Sequence, residues 1–164
     1  MTGNNPSQNA NNSGVIAWEN KYNTGIEAID AQHKQLINLT NDLYLACISK
    51  NDVLFSAFKD AMGKMVAYVN FHFNMEIKLM KAINFPGQAD HKKMHDKLIE
   101  NIVNAANDFK EGKKLVANKF VHTLIDWICS HIAIYDKQYA IFILDQKKKG
   151  LLTDQKVAEL LSDG

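Results

Sequence analysis

The stretch between residues 71 and 97 most constrains how this chain can fold. It carries His72 and Glu76 before a Phe-Pro-Gly turn, and His91 and His95 after it. Residues four apart on a helix share one face and lie about one turn from each other. Each pair therefore projects from one face of a helix, and the turn brings the two helices together. Nitrogen and oxygen donors on facing helices of a bundle can form a transition-metal site.

Apolar residues recur at steps of three and four in four long segments, which is the period of a helix packed on one side. Short links separate the segments, so we predict an all-α fold, an antiparallel up-down-up-down four-helix bundle. The predicted helices are Asp30–Ser49, Val53–Ile83, Gln88–Lys110 and Leu115–Lys147. Residues 1–14 are rich in Asn, Ser and Gly, and we expect a disordered tail there. Residues 15–164 are expected to form one domain, with an N-terminal arm over 15–29 and a short C-terminal helix over Asp154–Leu161.

The composition excludes several classes of function. Nineteen Lys and Arg against 18 Asp and Glu give a net charge of +1, so we expect no nucleic-acid partner. No apolar run is long enough to span a membrane, and the first residues lack the pattern of a signal peptide. Cys47 and Cys129 form no CxxC or CxxCH motif, which argues against zinc-ribbon and c-type haem sites. We interpret them as small buried hydrophobic residues of a cytoplasmic protein.

Five of the six histidines, together with one glutamate, fall on predicted inner faces at one end of the bundle. They are His33, His72, Glu76, His91, His95 and His131. The sixth, His122, lies nine residues before His131 and hence about 180° around the fourth helix, so we predict that it is exposed. A buried carboxylate among five imidazoles is costly without a partner, and a bound cation would remove that cost. The cluster therefore predicts a metal site.

Asp136 can join this cluster only if the fourth helix is locally irregular. It follows His131 by five residues, which places it about 140° away in a regular α-helix. A π-bulge with i→i+5 hydrogen bonds would bring it back, and the spacing alone leaves both possibilities open. The regular period predicts an inner face made of Phe120, Leu124, Trp127, His131, Ile134, Gln138 and Phe142.

The pattern of these residues resembles the hemerythrins, which are four-helix proteins that bind dioxygen at a non-haem di-iron centre. The resemblance covers about residues 15–146. It rests on I-D-A-Q-H-K at 29–34, H-F-N-M-E at 72–76, the Phe-Pro-Gly turn, H-K-K-M-H at 91–95, Trp127 and H-I-A-I-Y-D at 131–136. All seven ligand positions match in order, and the chain is most similar to the single-domain bacterial members.

The resemblance implies two iron ions joined by an oxo or hydroxo bridge. The implied ligands are His91, His95 and His131 on one iron, His33 and His72 on the other, and Glu76 and Asp136 bridging both. This count leaves one open position for dioxygen, on the iron held by two histidines. We expect a dry wall around it from residues near the ligands in sequence, namely Leu36, Ile37, Phe73, Trp127, Cys129, Ile132 and Tyr135.

The function implied by the resemblance is reversible dioxygen binding by a carrier, store or delivery protein. Such a protein would be a monomer and not an enzyme, and a delivery role would add an oxygen-consuming enzyme as its partner. Oxygen or redox sensing, and oxidase or peroxidase activity at the same site, remain alternatives. Ferritin-like di-iron oxidases use Glu-x-x-His motifs and many zinc proteases use His-Glu-x-x-His. Neither motif occurs in this sequence.

Overall fold

The computed structural model describes residues 15–48 and 54–162, which contain helices and no strand. The helices are α1 Glu27–Ile48, α2 Leu54–Ala82, α3 Gln88–Lys110, α4 Lys114–Ser130, α5 Lys137–Lys148 and α6 Asp154–Ser162. A 3₁₀ turn spans Asn20–Tyr22, and a π-helical turn spans His131–Asp136 between α4 and α5. The predicted disordered tail, residues 1–14, lies outside the described residues. None of the described helices combines the length and the apolar character that a membrane crossing requires.

Helices α1 to α4 form the predicted bundle. Helix α1 packs against α2 and α4, and α3 packs against the same two helices. This is the neighbour pattern of an up-down-up-down bundle, in which short links make consecutive helices antiparallel. The predicted all-α four-helix fold is therefore confirmed.

Two apolar clusters fill the interior, and a layer of polar side chains lies between them. Along α2, for example, Phe73 belongs to the larger cluster and Leu79 to the smaller one, with Glu76 between them. The smaller cluster also includes Val157 of α6, which is 6% exposed. The C-terminal helix thus covers one end of the bundle, and the polar layer is enclosed by apolar residues on both sides.

Helix α1 begins at Glu27, three residues before its predicted start at Asp30. Asp30 instead lies in the first turn, where its Oδ1 accepts hydrogen bonds from the backbone N–H of Thr24 at 2.8 Å and from its hydroxyl at 2.7 Å. Farther along α1, the buried Asn41 accepts a hydrogen bond from the N–H of Ile16 and donates one to its carbonyl oxygen. These contacts hold the N-terminal arm over α1.

The turn between α2 and α3 is closed by a left-handed residue. Asn84 has a φ of 54°, a conformation that Asn adopts more readily than most residues because its side chain can bond locally. The N–H of Phe85 donates to the carbonyl oxygen of Met80 at 2.9 Å, which is the bond of a Schellman C-cap. The chain reverses here, so His91 at the start of α3 comes to lie beside Glu76 near the end of α2.

The fourth helix widens where Asp136 requires it. The π-helical turn spans His131–Asp136, so the bulge that would bring Asp136 to the cluster is present. The wider turn takes up one extra residue, so the buried face beyond it moves by one position. The buried residues are Ile132, Asp136, Tyr139, Ala140 and Ile143. The inner face predicted from a regular period is wrong beyond His131, because Ile134 and Gln138 are exposed and Phe142 is half-buried.

Candidate metal centre

All seven residues that the sequence singled out as ligands converge in the polar layer. Each of the seven is at most 3% exposed. They are His33 from α1, His72 and Glu76 from α2, His91 and His95 from α3, and His131 and Asp136 from the π-helical turn. The sixth histidine, His122, is exposed as predicted, and its ring lies edge-on to Tyr44 at a centroid distance of 5.9 Å.

Glu76 stands between two groups of histidines and offers one oxygen to each. Its Oε1 lies 3.6 Å from His33 Nε2 and 3.5 Å from His72 Nε2. Its Oε2 lies 3.7 Å from His91 Nε2 and 3.3 Å from His95 Nε2. We call the first group the two-histidine position and the second, which also includes His131, the three-histidine position.

The two carboxylate oxygens of Asp136 are shared between the two positions in the same way. Its Oδ2 lies 3.1 Å from His33 Nε2, in the two-histidine position. Its Oδ1 lies 3.3 Å from His91 Nε2 and 3.1 Å from His131 Nε2, in the three-histidine position. Because the π-helical turn places Asp136 on the same face as His131, both carboxylates can span the two positions.

The imidazole nitrogens of the three-histidine position are spaced like donors to one ion. His131 Nε2 lies 2.9 Å from His95 Nε2 and 3.1 Å from His91 Nε2. Two neighbouring donors at right angles, each about 2.1 Å from a metal ion, would be about 3.0 Å apart. The distances therefore suit octahedral coordination by imidazole nitrogens.

Four of the nine nitrogen and oxygen atoms that face the cluster have no hydrogen-bond partner among the described residues. These atoms are His33 Nε2, Glu76 Oε2 and both carboxylate oxygens of Asp136. A buried polar atom without a partner costs about 1–3 kcal/mol. Cations between the two carboxylates would remove this cost, so the residues present fit a metal centre, divided as Glu76, His91, His95, His131 and Asp136 against His33, His72 and Glu76.

The charges of the cluster are suited to cations. Burial alone would raise the pKa of Glu76 and of Asp136, but the surrounding imidazoles hold both pKa values well below the usual range. Burial disfavours the charged forms of His33 and His91, yet the two carboxylates raise the pKa of each to about 9. Burial lowers the pKa of His72 to about 4. The carboxylates are therefore anionic at neutral pH, as metal ligands must be, and metal binding would release the protons that His33 and His91 hold in the metal-free protein.

Aromatic rings stack on two histidines of the three-histidine position. Phe73 stacks on His95 with a centroid distance of 3.6 Å, and Trp127 stacks on His131 at 4.1 Å.

The predicted dry wall is wrong at Tyr135. This residue is 37% exposed, so it lies at the edge of the site. Of the other wall residues, Leu36, Ile37 and Ile132 are buried, and Cys129 is half-buried. Cys47 is half-buried too. The prediction that both cysteines are buried is therefore only partly met.

Comparison with known proteins identifies the family. The model of the hemerythrin HHE cation binding domain matches residues 24–140, which include all seven residues of the cluster. The chain belongs to the hemerythrin family.

Its relatives include bacteriohemerythrins. The one from Stenotrophomonas maltophilia is 29% identical over 126 residues, which cover 77% of this chain and 80% of the relative. A hemerythrin-like protein from Naegleria gruberi is 27% identical over 122 residues, which cover 74% of this chain and 88% of that protein. A crystal structure of wild-type hemerythrin superposes with a TM-score of 0.70 at 26% identity, covering 77% of this chain and 95% of the other.

Two polar side chains with no predicted role at the site contact residues of the cluster. The hydroxyl of Tyr139, fully buried, donates to Glu76 Oε1 at 2.6 Å. Tyr139 follows Asp136 by three residues, so carrying the predicted bulge through to the next turn would have found it. Gln32 Oε1 lies 2.8 Å from His72 Nδ1. This contact crosses from α1 to α2, and no spacing within one helix could reveal it.

Proposed function

We propose that this hemerythrin binds dioxygen reversibly at a non-haem centre of two iron ions, as an oxygen carrier, store or delivery protein and not as an enzyme. The observation that carries the proposal is the division of both carboxylates between the two histidine groups. Membership of the hemerythrin family supports the same conclusion. Imidazole and carboxylate donors suit iron, and the cluster includes no thiolate, which softer metals prefer.

The two positions differ by one protein donor. His91, His95 and His131 with one oxygen from each carboxylate would give the first iron five protein donors. His33 and His72 with the other two oxygens would give the second iron four. The two-histidine position therefore has the greater capacity for an added ligand, and we infer that dioxygen is bound there.

The chain's own part is to hold the ligands in place and to exclude water. Two ferrous ions held by these residues would supply the two electrons that dioxygen binding requires. The apolar clusters on either side of the polar layer keep the seven ligands at most 3% exposed. Excluding water from the pocket suppresses side reactions of the bound gas. The surrounding residues therefore favour reversible binding over turnover.

The first prediction concerns metal content. Protein purified without oxygen should contain about two iron ions per chain, because seven buried ligands are more than one ion can use. Iron and zinc should be measured together by elemental analysis, against protein concentration from amino-acid analysis. One zinc ion and no iron per chain would contradict the proposal.

The second prediction concerns reversibility. Adding oxygen to the reduced protein should produce a visible absorption change, and removing oxygen under vacuum should restore the starting spectrum over several cycles. The reason is that the two-histidine position has one protein donor fewer than the other, so it can take up and release a ligand while the surrounding residues, at most 3% exposed, keep water away. An unchanged spectrum, or full oxidation in the first cycle, would count against reversible binding.

A further inference from the structure

The outer nitrogens of the histidines in the cluster are held in different ways. The buried Nδ1 atoms of His33, His95 and His131 have no hydrogen-bond partner among the described residues. Stacked aromatic rings orient two of these three imidazoles instead, with Phe73 on His95 and Trp127 on His131. The outer nitrogen of His72 is held by a polar side chain, at 2.8 Å from Gln32 Oε1.

This hydrogen bond determines which nitrogen of His72 carries the proton. An amide oxygen can only accept, so Nδ1 of His72 must donate and Nε2 is left with a free lone pair. Nε2 is the atom that faces the cluster, 3.5 Å from Glu76 Oε1. The contact with Gln32 thus selects the tautomer that can bind a metal ion.

Gln32 is itself held in place. Its backbone carbonyl oxygen accepts a hydrogen bond of 3.0 Å from the hydroxyl of Tyr68. The ring of Tyr68 lies nearly parallel to that of His72, with an angle of 9° between them and 6.2 Å between centroids. Tyr68 therefore connects the backbone at Gln32 to the helix that carries His72, and the amide and the imidazole keep their relative position.

We propose that Gln32 is a positioning residue for the two-histidine position, where it fixes the tautomer and orientation of His72. This inference rests on the proposed function for the identity of the metal, but the hydrogen bond acts on His72 whether or not iron is present. Because Gln32 contacts His72, and His95 and His131 of the three-histidine position have aromatic contacts in place of such a bond, Gln32 affects the affinity of one metal position and leaves the other unchanged. An acceptor on Nδ1–H also makes the imidazole a stronger donor to the metal.

Titration of the metal-free protein with Co²⁺ tests the effect on binding. The wild type should take up two ions, and Gln32→Ala should weaken one of the two binding steps about 10–100-fold while leaving the other unchanged. Gln35→Ala is the matched control, since Gln35 lies on the exposed face of the same helix. Equal weakening of both steps, or no weakening of either, would overturn the proposal. Uptake of a single ion by the wild type would instead count against the proposed two-metal centre.

¹⁵N NMR of the histidine rings in the metal-free protein tests the tautomer without any metal. His72 should be protonated at Nδ1 in the wild type and in Gln32→Glu, since a carboxylate at this position is also an acceptor. In Gln32→Ala the remaining acceptor is Glu76 Oε1, 3.5 Å from Nε2, so the proton should move to Nε2. An unchanged tautomer in Gln32→Ala would refute the role of Gln32, whatever the Co²⁺ titration shows.

Discussion

Replacing His72 with alanine should reduce the metal content from about two ions per chain to about one and abolish the spectral response to oxygen. His72 is one of two imidazoles at the two-histidine position, so its loss leaves three protein donors there. Loss of an outer partner of a ligand typically lowers metal affinity 10–100-fold, and loss of the ligand itself should lower it further. The three-histidine position keeps all five of its donors and should keep its ion.

His122→Ala is the matched control for His72→Ala. His122 is exposed on α4, where its described contact is the edge of the Tyr44 ring. A substitution at such a position usually changes the free energy of unfolding by no more than about 0.5 kcal/mol. Both variants should therefore be compared by iron analysis, by the visible spectrum with and without oxygen, and by far-ultraviolet circular dichroism of the metal-free proteins.

The circular dichroism separates a binding defect from a folding defect. If His72→Ala keeps the helical signal of the wild type and loses one ion, the ligand assignment is supported. Retention of two ions by a folded His72→Ala, or an equal loss of iron in both variants, would show that His72 does not hold the second ion. His72→Gln can be used in the same way if His72→Ala does not fold.

The position of the site along the bundle axis could be predicted from the sequence, because it depends on the regular spacing of residues within each helix. The i, i+4 spacing of His72 and Glu76 gives their shared face directly, and short links between long helices give the antiparallel order. The predicted bounds of the third helix, Gln88–Lys110, are those observed. Here the Phe-Pro-Gly turn and the Glu-Gly pair at its other end mark both limits in the sequence.

Contacts between elements were not predictable in the same way. Helix α1 starts early because Asp30 accepts hydrogen bonds from Thr24, which belongs to the arm and not to the helix. The contact between Gln32 and His72 joins two helices, and its direction depends on how they are rotated against each other. Propensity and period describe one segment at a time, so such side-chain contacts require the packed structure.

The inner face of α5 was wrongly predicted for a different reason. The five-residue step between His131 and Asp136 leaves a bulge open and the hemerythrin resemblance requires one, but the predicted inner face assumes a regular period for the residues that follow. One extra residue in the turn rotates every later position by about 100° relative to a regular helix. Ile134 is consequently 53% exposed, while Tyr139 and Ile143 are fully buried.

Deleting Ile134 should leave the fold intact, although it removes a residue from the middle of a long helical segment. After the deletion, His131 and Asp136 are four positions apart, and a regular α-helix places such residues on one face. Tyr139 and Ile143 then keep their buried positions without a π-helical turn. The deleted side chain is 53% exposed, so we expect the metal-free protein to change in free energy of unfolding by no more than about 1 kcal/mol.

Deleting Thr123, an exposed residue of α4, is the matched control and should have the opposite result. The deletion would rotate the segment between residue 123 and the π-helical turn. Leu124 and Ile128, both 0% exposed in the wild type, would then turn away from the core. Each loss costs about 2–5 kcal/mol, and the whole domain is stable by about 5–15 kcal/mol, so cooperative unfolding should disappear. Thermal unfolding of the metal-free proteins, followed by circular dichroism, compares the two deletions directly. Equal loss of structure in both would mean that the π-helical turn is needed for folding itself, whereas a stable Ile134 deletion that binds less iron would assign the turn to the placement of Asp136.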